Sequence, residues 1–130
     1  MKDNTYTIIL MDTLLKKVDL LDQLIIVTKK QEFIVKNPSM EVEELEQTLN
    51  DKEMLINEIN YLDIGFERLY EHIQEELNNN KIIHKEFILN LQELIRNIMS
   101  KSTELQALES RNKNLMDNFF FSSKKRNKEV

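Results

Sequence analysis

The sequence predicts an all-α protein, an elongated up-down-up antiparallel array of three long helices. The chain of 130 residues has one glycine and one proline, so it lacks the turn residues that several β-strands require. Apolar residues recur three and four positions apart along most of it, which is the spacing of one helix face. Two short polar breaks, at residues 37–38 and 78–80, separate three such stretches, and helices joined by short connections are antiparallel.

The first helix is predicted over residues 5–36. Its apolar stripe is broad enough to contact two neighbouring helices, as in a bundle. Asn37 and Pro38 end this helix, because the residue before a proline avoids the helical conformation. The same two residues predict the start of the second helix, with Asn37 as its cap and Pro38 in its first position. The seam of the first helix, with alternating spacings of three and four, consists of Met11, Leu14, Val18, Leu21 and Ile25.

The second helix is predicted from Val42 to Leu77. Two charged residues, Lys52 and Asp63, interrupt its seam; they either set the helix register or lie at the edge with their charged ends in water. Gly65 indicates a kink, a close helix approach or a tolerated glycine. The seam consists of Val42, Leu45, Leu49, Lys52, Ile56, Ile59, Asp63, Phe66, Tyr70, Ile73 and Leu77, with a second row of Leu55, Leu62 and Leu69 beside it.

The third helix is predicted to follow the asparagines at 78–80 at once. These asparagines have low helix propensity and tolerate left-handed geometry, so they predict the second turn. Four polar residues at 100–103 interrupt the apolar stripe, and Thr103 and Gln106 have the spacing of a capping box. A continuous helix and a helix broken near Ser102 are therefore both compatible with the sequence. The stripe before this point contains Phe87, Ile88, Leu91, Leu94, Ile95 and Ile98.

The residue types argue against catalysis and against a cofactor. The chain has no cysteine, and it contains no phosphate-binding glycine loop and no zinc-protease motif. His72 and His84 are the only histidines, and neither has a second histidine at the spacing that metal sites in helical bundles use. We therefore expect a protein that is not an enzyme and that binds no metal or other cofactor.

The charge distribution argues against nucleic acid as a partner. Residues 37–80 carry twelve acidic and two basic side chains, and such a segment repels nucleic acid and anionic lipid. No apolar run is long enough to cross a membrane, and Asp12 interrupts the apolar residues near the N-terminus, so no signal-peptide core forms. We expect no membrane insertion and a cytoplasmic location.

The stretch from Thr103 to Phe121 is the predicted binding segment of a single helical domain that covers residues 1–121. Its apolar residues lie along one side of a helix and lead directly into a polar, basic end at 122–130, which is predicted to be a disordered tail. Three consecutive phenylalanines, 119–121, point in three directions around a helix. They form either an exposed aromatic patch for a partner or a cap over the end of the helix array.

Residues 104–115, with the sequence ELQALESRNKNL, resemble the C-terminal motif of the FlgN-type flagellar export chaperones. In that motif a leucine pair, an Arg-Asn or Asn-x-x-Asn step and a following leucine recur on the terminal helix. The stretches LDQLIIVTKKQEFI in the first helix and LEQTLNDKEMLINEINYLDIGFERLY in the second are also similar to this family. The likeness covers nearly the whole chain, although Glu109 stands where the family often has asparagine, and the three phenylalanines are unusual for it.

The resemblance implies a cytoplasmic export chaperone that binds the terminal helix of hook-associated flagellar proteins and keeps them unpolymerised before type III export. Components of the export apparatus are further candidate partners. The contact would place one helix in an apolar groove of another protein, with anchors at i, i+3, i+4 and i+7. Asn112 would add a hydrogen bond that fixes register. The predicted partner-binding residues are Leu105, Leu108, Asn112, Leu115, Met116 and Phe119.

Two alternatives to this function stay open at the level of the sequence. One is a structural helical-bundle or coiled-coil protein whose apolar stripes serve only self-association, for example as a homodimer. The other is a chaperone of the FliT type, which serves the filament cap protein instead of the hook-associated proteins.

Overall fold

The computed structural model describes residues 2–37 and 39–129, and within them the side chains of residues 5–37 and 39–118. It contains three helices and, within the described residues, no strand, which confirms the predicted all-α array. Helix α1 packs along both other helices, whereas α2 and α3 make only marginal contact with each other. The helices are α1 (Lys2–Lys36), α2 (Val42–Asn79) and α3 (Lys85–Glu129).

Ion pairs and a hydrogen bond between side chains of different helices define the directions of the array. Lys17 of α1 contacts Asp63 of α2, while Gln31 farther along α1 contacts Thr48 nearer the start of α2, so these helices are antiparallel. Contacts between α1 and α3 advance together along both helices, from Asp22–Lys101 to Glu32–Arg111. Helices α1 and α3 are therefore parallel, as an up-down-up path requires.

The first turn differs from the prediction because Asn37 does not cap α2. Its Oδ1 accepts a hydrogen bond from the backbone N of Ser39 at 3.0 Å, so the side chain stabilises a local turn instead. Glu41 immediately precedes α2, with an extended backbone and no side-chain cap. Helix α2 consequently begins at Val42, and Pro38, which was assigned to its first position, lies outside the described residues.

The second turn is longer than predicted. Helix α2 continues to Asn79, and α3 starts at Lys85 rather than directly after the asparagines. The carboxylate of Glu76 organises this turn: its Oε1 accepts a hydrogen bond from Asn80 Nδ2 at 2.8 Å and lies 3.4 Å from His84 Nε2. Residues 81–84 therefore form a separate turn before the third helix.

Helix α3 passes through Ser102 without a break. The hydroxyl of Thr103 donates to the carbonyl oxygen of Met99 at 2.9 Å, one turn back in the same helix, and does not cap a new helix. Lys101 points to α1, where its Nζ donates to Asp22 Oδ1 at 2.5 Å. The polar residues at 100–103 therefore belong to one continuous helix, and Lys101 among them contacts α1. The alternative of a broken third helix is wrong.

Helix α3 ends at Glu129, so its bounds include residues 122–129, for which the sequence predicts a disordered basic tail. The side chains of residues 119–129 lie outside the described ones, and both interpretations of the three phenylalanines concern these side chains. The assignments of 119–121 as a binding patch or as a cap therefore stay predictions.

The core consists of three apolar clusters along α1. The middle cluster joins all three helices and includes Ile59 of α2 and Ile98 of α3. A second cluster lies near the α2–α3 turn around Leu10, and a third near the α1–α2 turn around Leu45. The buried members are Leu14, Leu21, Leu24, Ile59, Leu91 and Ile98 in the first cluster, Leu10, Ile73 and Leu77 in the second, and Ile34, Val35 and Leu45 in the third.

The face of α2 that packs against the other helices is not the predicted seam but is rotated from it, so that a different row of apolar residues is buried. The row of leucines that was assigned to a second partner, with Leu55 and Leu69, packs into the core together with the shared positions at Leu45, Lys52 and Ile59. The other row of the predicted seam is exposed in its first half, because only one helix, α1, packs along α2. The exposed residues are Val42, Leu49 and Ile56, whereas Leu77 at the end of the same row is buried.

Gly65 is a tolerated glycine within α2. A Cβ atom at this position would meet nothing within 4 Å, and the glycine does not have a positive φ. Neither a close helix approach nor an unusual backbone conformation therefore requires glycine here.

Candidate protein-binding surfaces

The predicted partner-binding residues lie together on one face of α3, but α1 and the start of α2 cover this face. Leu108 is 3% exposed and Asn112 is fully buried. Leu105 packs, half-buried, against the middle cluster, whereas Leu115 and Met116 pack against the cluster near the α1–α2 turn. These five side chains therefore belong to the intramolecular core. Phe119, the sixth predicted residue, lies outside the described side chains.

Asn112 lies in a set of polar side chains from all three helices, the polar layer, whose members are buried except for the partly exposed Glu109. Its Nδ2 donates to the backbone oxygen of Thr28 at 2.8 Å and to Gln31 Oε1 at 3.1 Å. Its Oδ1 is buried without a hydrogen-bond partner. The sequence predicts that Asn112 makes a register-fixing hydrogen bond to a client. In the structure, the amide nitrogen of Asn112 already donates its hydrogen bonds to Thr28 and Gln31 of the same chain. The polar layer consists of Thr28, Gln31, Thr48, Lys52, Glu109 and Asn112.

Lys52 is the cation of the polar layer, and it is only 7% exposed. Its Nζ donates to Gln31 Oε1 at 3.1 Å and forms an ion pair with Glu109 of α3. The position is therefore a core position and not an edge from which the charge reaches water. Asp63, the other charged seam residue, is half-buried and pairs with Lys17 of α1 at 2.7 Å. Each charged seam residue of α2 thus has a partner on another helix.

Thr28, Gln31 and Thr48 are core residues that the sequence motifs did not single out. A periodic signal was present for each of them, since Thr28 and Gln31 continue the spacing of three and four from Leu21 and Leu24, and Thr48 lies between Leu45 and Lys52 at the same spacing. Polar side chains at such positions resemble an exposed face as long as their partners on other helices are unknown. Only the packing of three helices brings these partners together.

Ion pairs at the border between α1 and α3 surround the polar layer. Lys29 Nζ lies 3.5 Å from Glu104 Oε1, and Arg111 lies 3.5 Å from Glu32. A hydrogen bond from the Lys36 ammonium, together with the nearby Arg111 guanidinium, holds the pKa of Glu32 below its ordinary value although partial burial opposes this shift. The carboxylate of Glu32, which faces Arg111 of α3, is therefore negatively charged at neutral pH.

The first open apolar surface lies between α2 and α3 and is called the α2–α3 groove. Because these two helices make only marginal contact with each other, apolar side chains on both remain partly uncovered. Leu89 is 49% exposed and Ile95 is 38% exposed. Lys81 and Lys85 lie at its end near the turn. The apolar lining consists of Phe66, Tyr70, Leu77, Ile88, Leu89, Leu91 and Ile95.

The second open surface lies between α1 and α2 and is called the α1–α2 groove. Its most exposed apolar side chain is Tyr61, at 79%, and three carboxylates, of Asp19, Asp51 and Glu58, surround the apolar lining. The groove therefore combines an apolar floor with an acidic rim. The apolar lining consists of Leu15, Leu20, Ile26, Val27, Met54, Leu55, Tyr61 and Leu62.

No metal-binding group is present among the described residues, since no three histidine, cysteine, aspartate or glutamate side chains lie together in a suitable cluster. His72 stacks on Tyr6 with ring centroids 5.6 Å apart, and His84 contacts Glu76 in the turn. In the described part of the chain, none of the helices is both long enough and apolar enough to cross a membrane.

Comparison with known proteins finds no matching family model, and it finds neither a curated protein nor a solved structure that is similar to the chain. The two grooves, the polar layer and the motifs of the sequence are therefore the features that bear on function.

Proposed function

We propose that this protein is a cytoplasmic export chaperone that binds the terminal helix of hook-associated flagellar proteins. It keeps these clients unpolymerised before type III export, and components of the export apparatus are its further partners. One structural observation carries the proposal: the α2–α3 groove is an apolar surface between two helices whose backbones make only marginal contact with each other. The resemblance of residues 21–34, 45–70 and 104–115 to the FlgN-type chaperones supports the choice of client.

The α2–α3 groove fits an amphipathic helix as its ligand. On α2, Tyr70 and Leu77 are seven residues apart, and on α3 Ile88 and Ile95 have the same separation. Two rows with this repeat can hold the apolar stripe of another helix between them, as in helix bundles. Covering the exposed apolar surface of Leu89 and Ile95 would supply the free energy of binding.

The groove replaces the segment 103–121 as the proposed client contact. Binding through Leu108 and Asn112 would require α3 to leave α1, because both side chains are buried there. That movement would expose Ile34 and Val35 and would break the hydrogen bonds from Asn112 to Thr28 and Gln31. The α2–α3 groove offers an apolar surface without this loss of packing.

Binding of terminal-helix peptides from the hook-associated proteins of the same organism tests the proposal. The peptides carry a fluorescent label, and the anisotropy of the label reports binding to the full chain. We expect saturable binding that Leu89→Lys weakens by about tenfold or more, since a charge would be placed in the apolar groove. The matched control is Met99→Lys, on an exposed apolar residue of α3 outside the groove; it should leave the Kd nearly unchanged.

Two results would contradict the proposal in different ways. Peptides that do not bind the unmodified chain at all would remove the hook-associated proteins as clients. Binding that Leu89→Lys and Met99→Lys weaken equally would remove the α2–α3 groove as the site. Selective binding of the terminal helix of the filament cap protein would instead assign the FliT-type function.

A further inference from the structure

We propose that the α1–α2 groove binds the C-terminal end of α3 from a second copy of this chain. This C-terminal extension consists of residues 118–129. The resulting contact joins the tail of one copy to the groove of the next. It uses a different surface from the proposed client contact and does not depend on the identity of the client.

The register between α1 and α3 places the C-terminal extension beyond the last turn of α1. Gln31 of α1 contacts Asn112 of α3, and these residues are 81 positions apart in the sequence. The two helices are parallel, so Lys36, the last residue of α1, is level with about residue 117. Helix α3 continues to Glu129. Residues 118–129 therefore extend about 18 Å beyond α1, at the usual rise of about 1.5 Å per residue.

The sequence of the extension is both aromatic and basic. It begins with Asn118 and the three phenylalanines at 119–121, and four basic residues follow. Residues 122–130 carry a net charge of +3, whereas residues 37–80, which include most of α2, carry a net charge of −10. Such opposite charges steer two surfaces together and favour their association. The basic residues are Lys124, Lys125, Arg126 and Lys128.

The α1–α2 groove matches the extension in length. Its lining on α1 runs from Leu15 to Val27 and on α2 from Asp51 to Leu62. Each stretch corresponds to about 16 to 18 Å of helix, which is close to the length of the extension. Its floor offers the exposed side chains of Ile26, Met54 and Tyr61 to an aromatic partner.

Lys16 is the basic residue in the lining of the groove, and its Nζ pairs with Asp12 at 3.1 Å instead of with a carboxylate of the acidic rim. Asp19 accepts a hydrogen bond from the amide of Gln23 at 2.8 Å, and Asp51 accepts one from the amide of Gln47 at 2.9 Å. Neither these two carboxylates nor that of Glu58 forms an ion pair with another described residue. The negative charge of the rim is therefore available to lysine and arginine side chains from outside.

The occupant is the extension of a second copy and not that of the same chain. The extension starts beside the end of α1, whereas the groove lies along the middle of α1 and α2. Helix α3 is one element to Glu129, so its end would have to unwind and fold back to reach its own groove. Two grooves facing each other would juxtapose like charges at Asp19, Asp51 and Glu58. A contact between tail and groove avoids both problems and forms a heterologous interface.

The test is a pair of charge reversals measured by light scattering or sedimentation of the full chain over a range of concentrations. One variant combines Asp51→Lys with Glu58→Lys in the groove. The other combines Lys124→Glu, Lys125→Glu and Arg126→Glu in the extension. We expect the unmodified chain to associate as its concentration rises. Each variant alone should associate at least about tenfold more weakly than the unmodified chain. Increased salt should weaken the association of the unmodified chain.

Mixing the two variants distinguishes the proposal from damage to the fold. In the mixture, the basic tail of one variant meets the acidic groove of the other, and the acidic tail meets the basic groove. The mixture should therefore associate as the unmodified chain does. The matched control, Glu71→Lys with Glu75→Lys on exposed positions of α2 outside the groove, should leave association unchanged.

Three outcomes would overturn the proposal. The unmodified chain could remain a monomer at every concentration. The control variant could lose association as much as the groove variant does. Alternatively, the two weakened variants could fail to associate with each other when mixed. Because Leu89→Lys changes only the other groove, it should not alter self-association, so failure of the client proposal and failure of this one are separately visible.

Discussion

Asn112 is a polar residue that the packing of three helices places in the core. Its amide nitrogen donates two hydrogen bonds, to Thr28 and Gln31, while its Oδ1 has no partner. A buried polar atom without a partner costs about 1–3 kcal/mol, so this position is not optimal for stability alone. A pair of hydrogen bonds across helices instead specifies one register, because a shifted α3 would break both of them.

Removing this side chain should destabilise the fold. Asn112→Ala removes one hydrogen-bond donor from the backbone oxygen of Thr28 and one from Gln31 Oε1, and it leaves a small cavity in the polar layer. We expect the free energy of unfolding to fall by about 2 kcal/mol, measured by urea denaturation followed with circular dichroism. The matched control is Asn114→Ala, an exposed asparagine on the same helix, which should change it by about 0.5 kcal/mol or less. Equal effects of the two substitutions would show that the polar layer does not stabilise the fold.

At the residue scale, the sequence identified part of the polar layer. Lys52 was recognised because a charge interrupted an apolar seam, and the structure buries it. Asn112 was recognised as a hydrogen-bonding residue, but its partners lie in the same chain. Thr48 continues the row of Leu55, Leu62 and Leu69 at seven-residue spacing, but a threonine is equally suited to the surface. The partners of a polar side chain, which decide whether it can be buried, lie on other helices.

Helix α2 carries two apolar rows, and at the scale of this element the sequence could not decide which row is packed. Both rows give an alternating spacing of three and four when combined with the shared positions such as Ile59. The structure packs the row of Leu55 and leaves the row of Leu49 and Ile56 exposed. The choice depends on the angle at which α2 approaches α1, and this angle is a property of two helices and not of one sequence stretch.

Two isoleucines of α2 therefore respond differently to truncation. Ile59 is 8% exposed, and Ile59→Ala should lower the free energy of unfolding by about 3 kcal/mol, since it leaves a cavity in the middle cluster. Ile56 is 42% exposed, and Ile56→Ala should lower it by about 1 kcal/mol or less. Helix propensity changes equally in both variants and cancels in the comparison. Urea midpoints that fall by the same amount would mean that the predicted seam, and not the observed one, faces α1.

For the whole molecule, the arrangement around α1 explains why the terminal segment is covered. Helix α1 is the helix of the described array that packs along both others, and the parallel register of α3 brings Leu108 and Leu115 to the last turns of α1. The same arrangement leaves α2 and α3 apart and creates the α2–α3 groove. The predicted client anchors Leu105, Leu108, Leu115 and Met116 are thus covered by the same topology that opens a groove elsewhere.

Two truncations separate the covered segment from the extension beyond it. Removal of residues 103–130 takes Leu105, Leu108 and Asn112 away from α1. We expect this variant to lose helical structure and to unfold at clearly lower urea concentration, because the cluster around Leu45 and part of the polar layer lose their cover. Removal of residues 118–130 leaves these contacts in place and should preserve the urea midpoint almost unchanged. If the chain without residues 103–130 is as stable as the chain without residues 118–130, the terminal face of α3 is not part of the core.

The sequence by itself determined the all-α class, the number of long helices and their alternating directions. These properties depend on local information: the spacing of apolar residues, the scarcity of glycine and proline, and short polar breaks. Only the tertiary structure decided that α1 lies between α2 and α3, that the Leu55 row of α2 is packed and that Asn112 is buried. The physical reason is that an apolar stripe specifies a need for a neighbour without specifying which neighbour covers it, and residues far apart in the chain make that choice together.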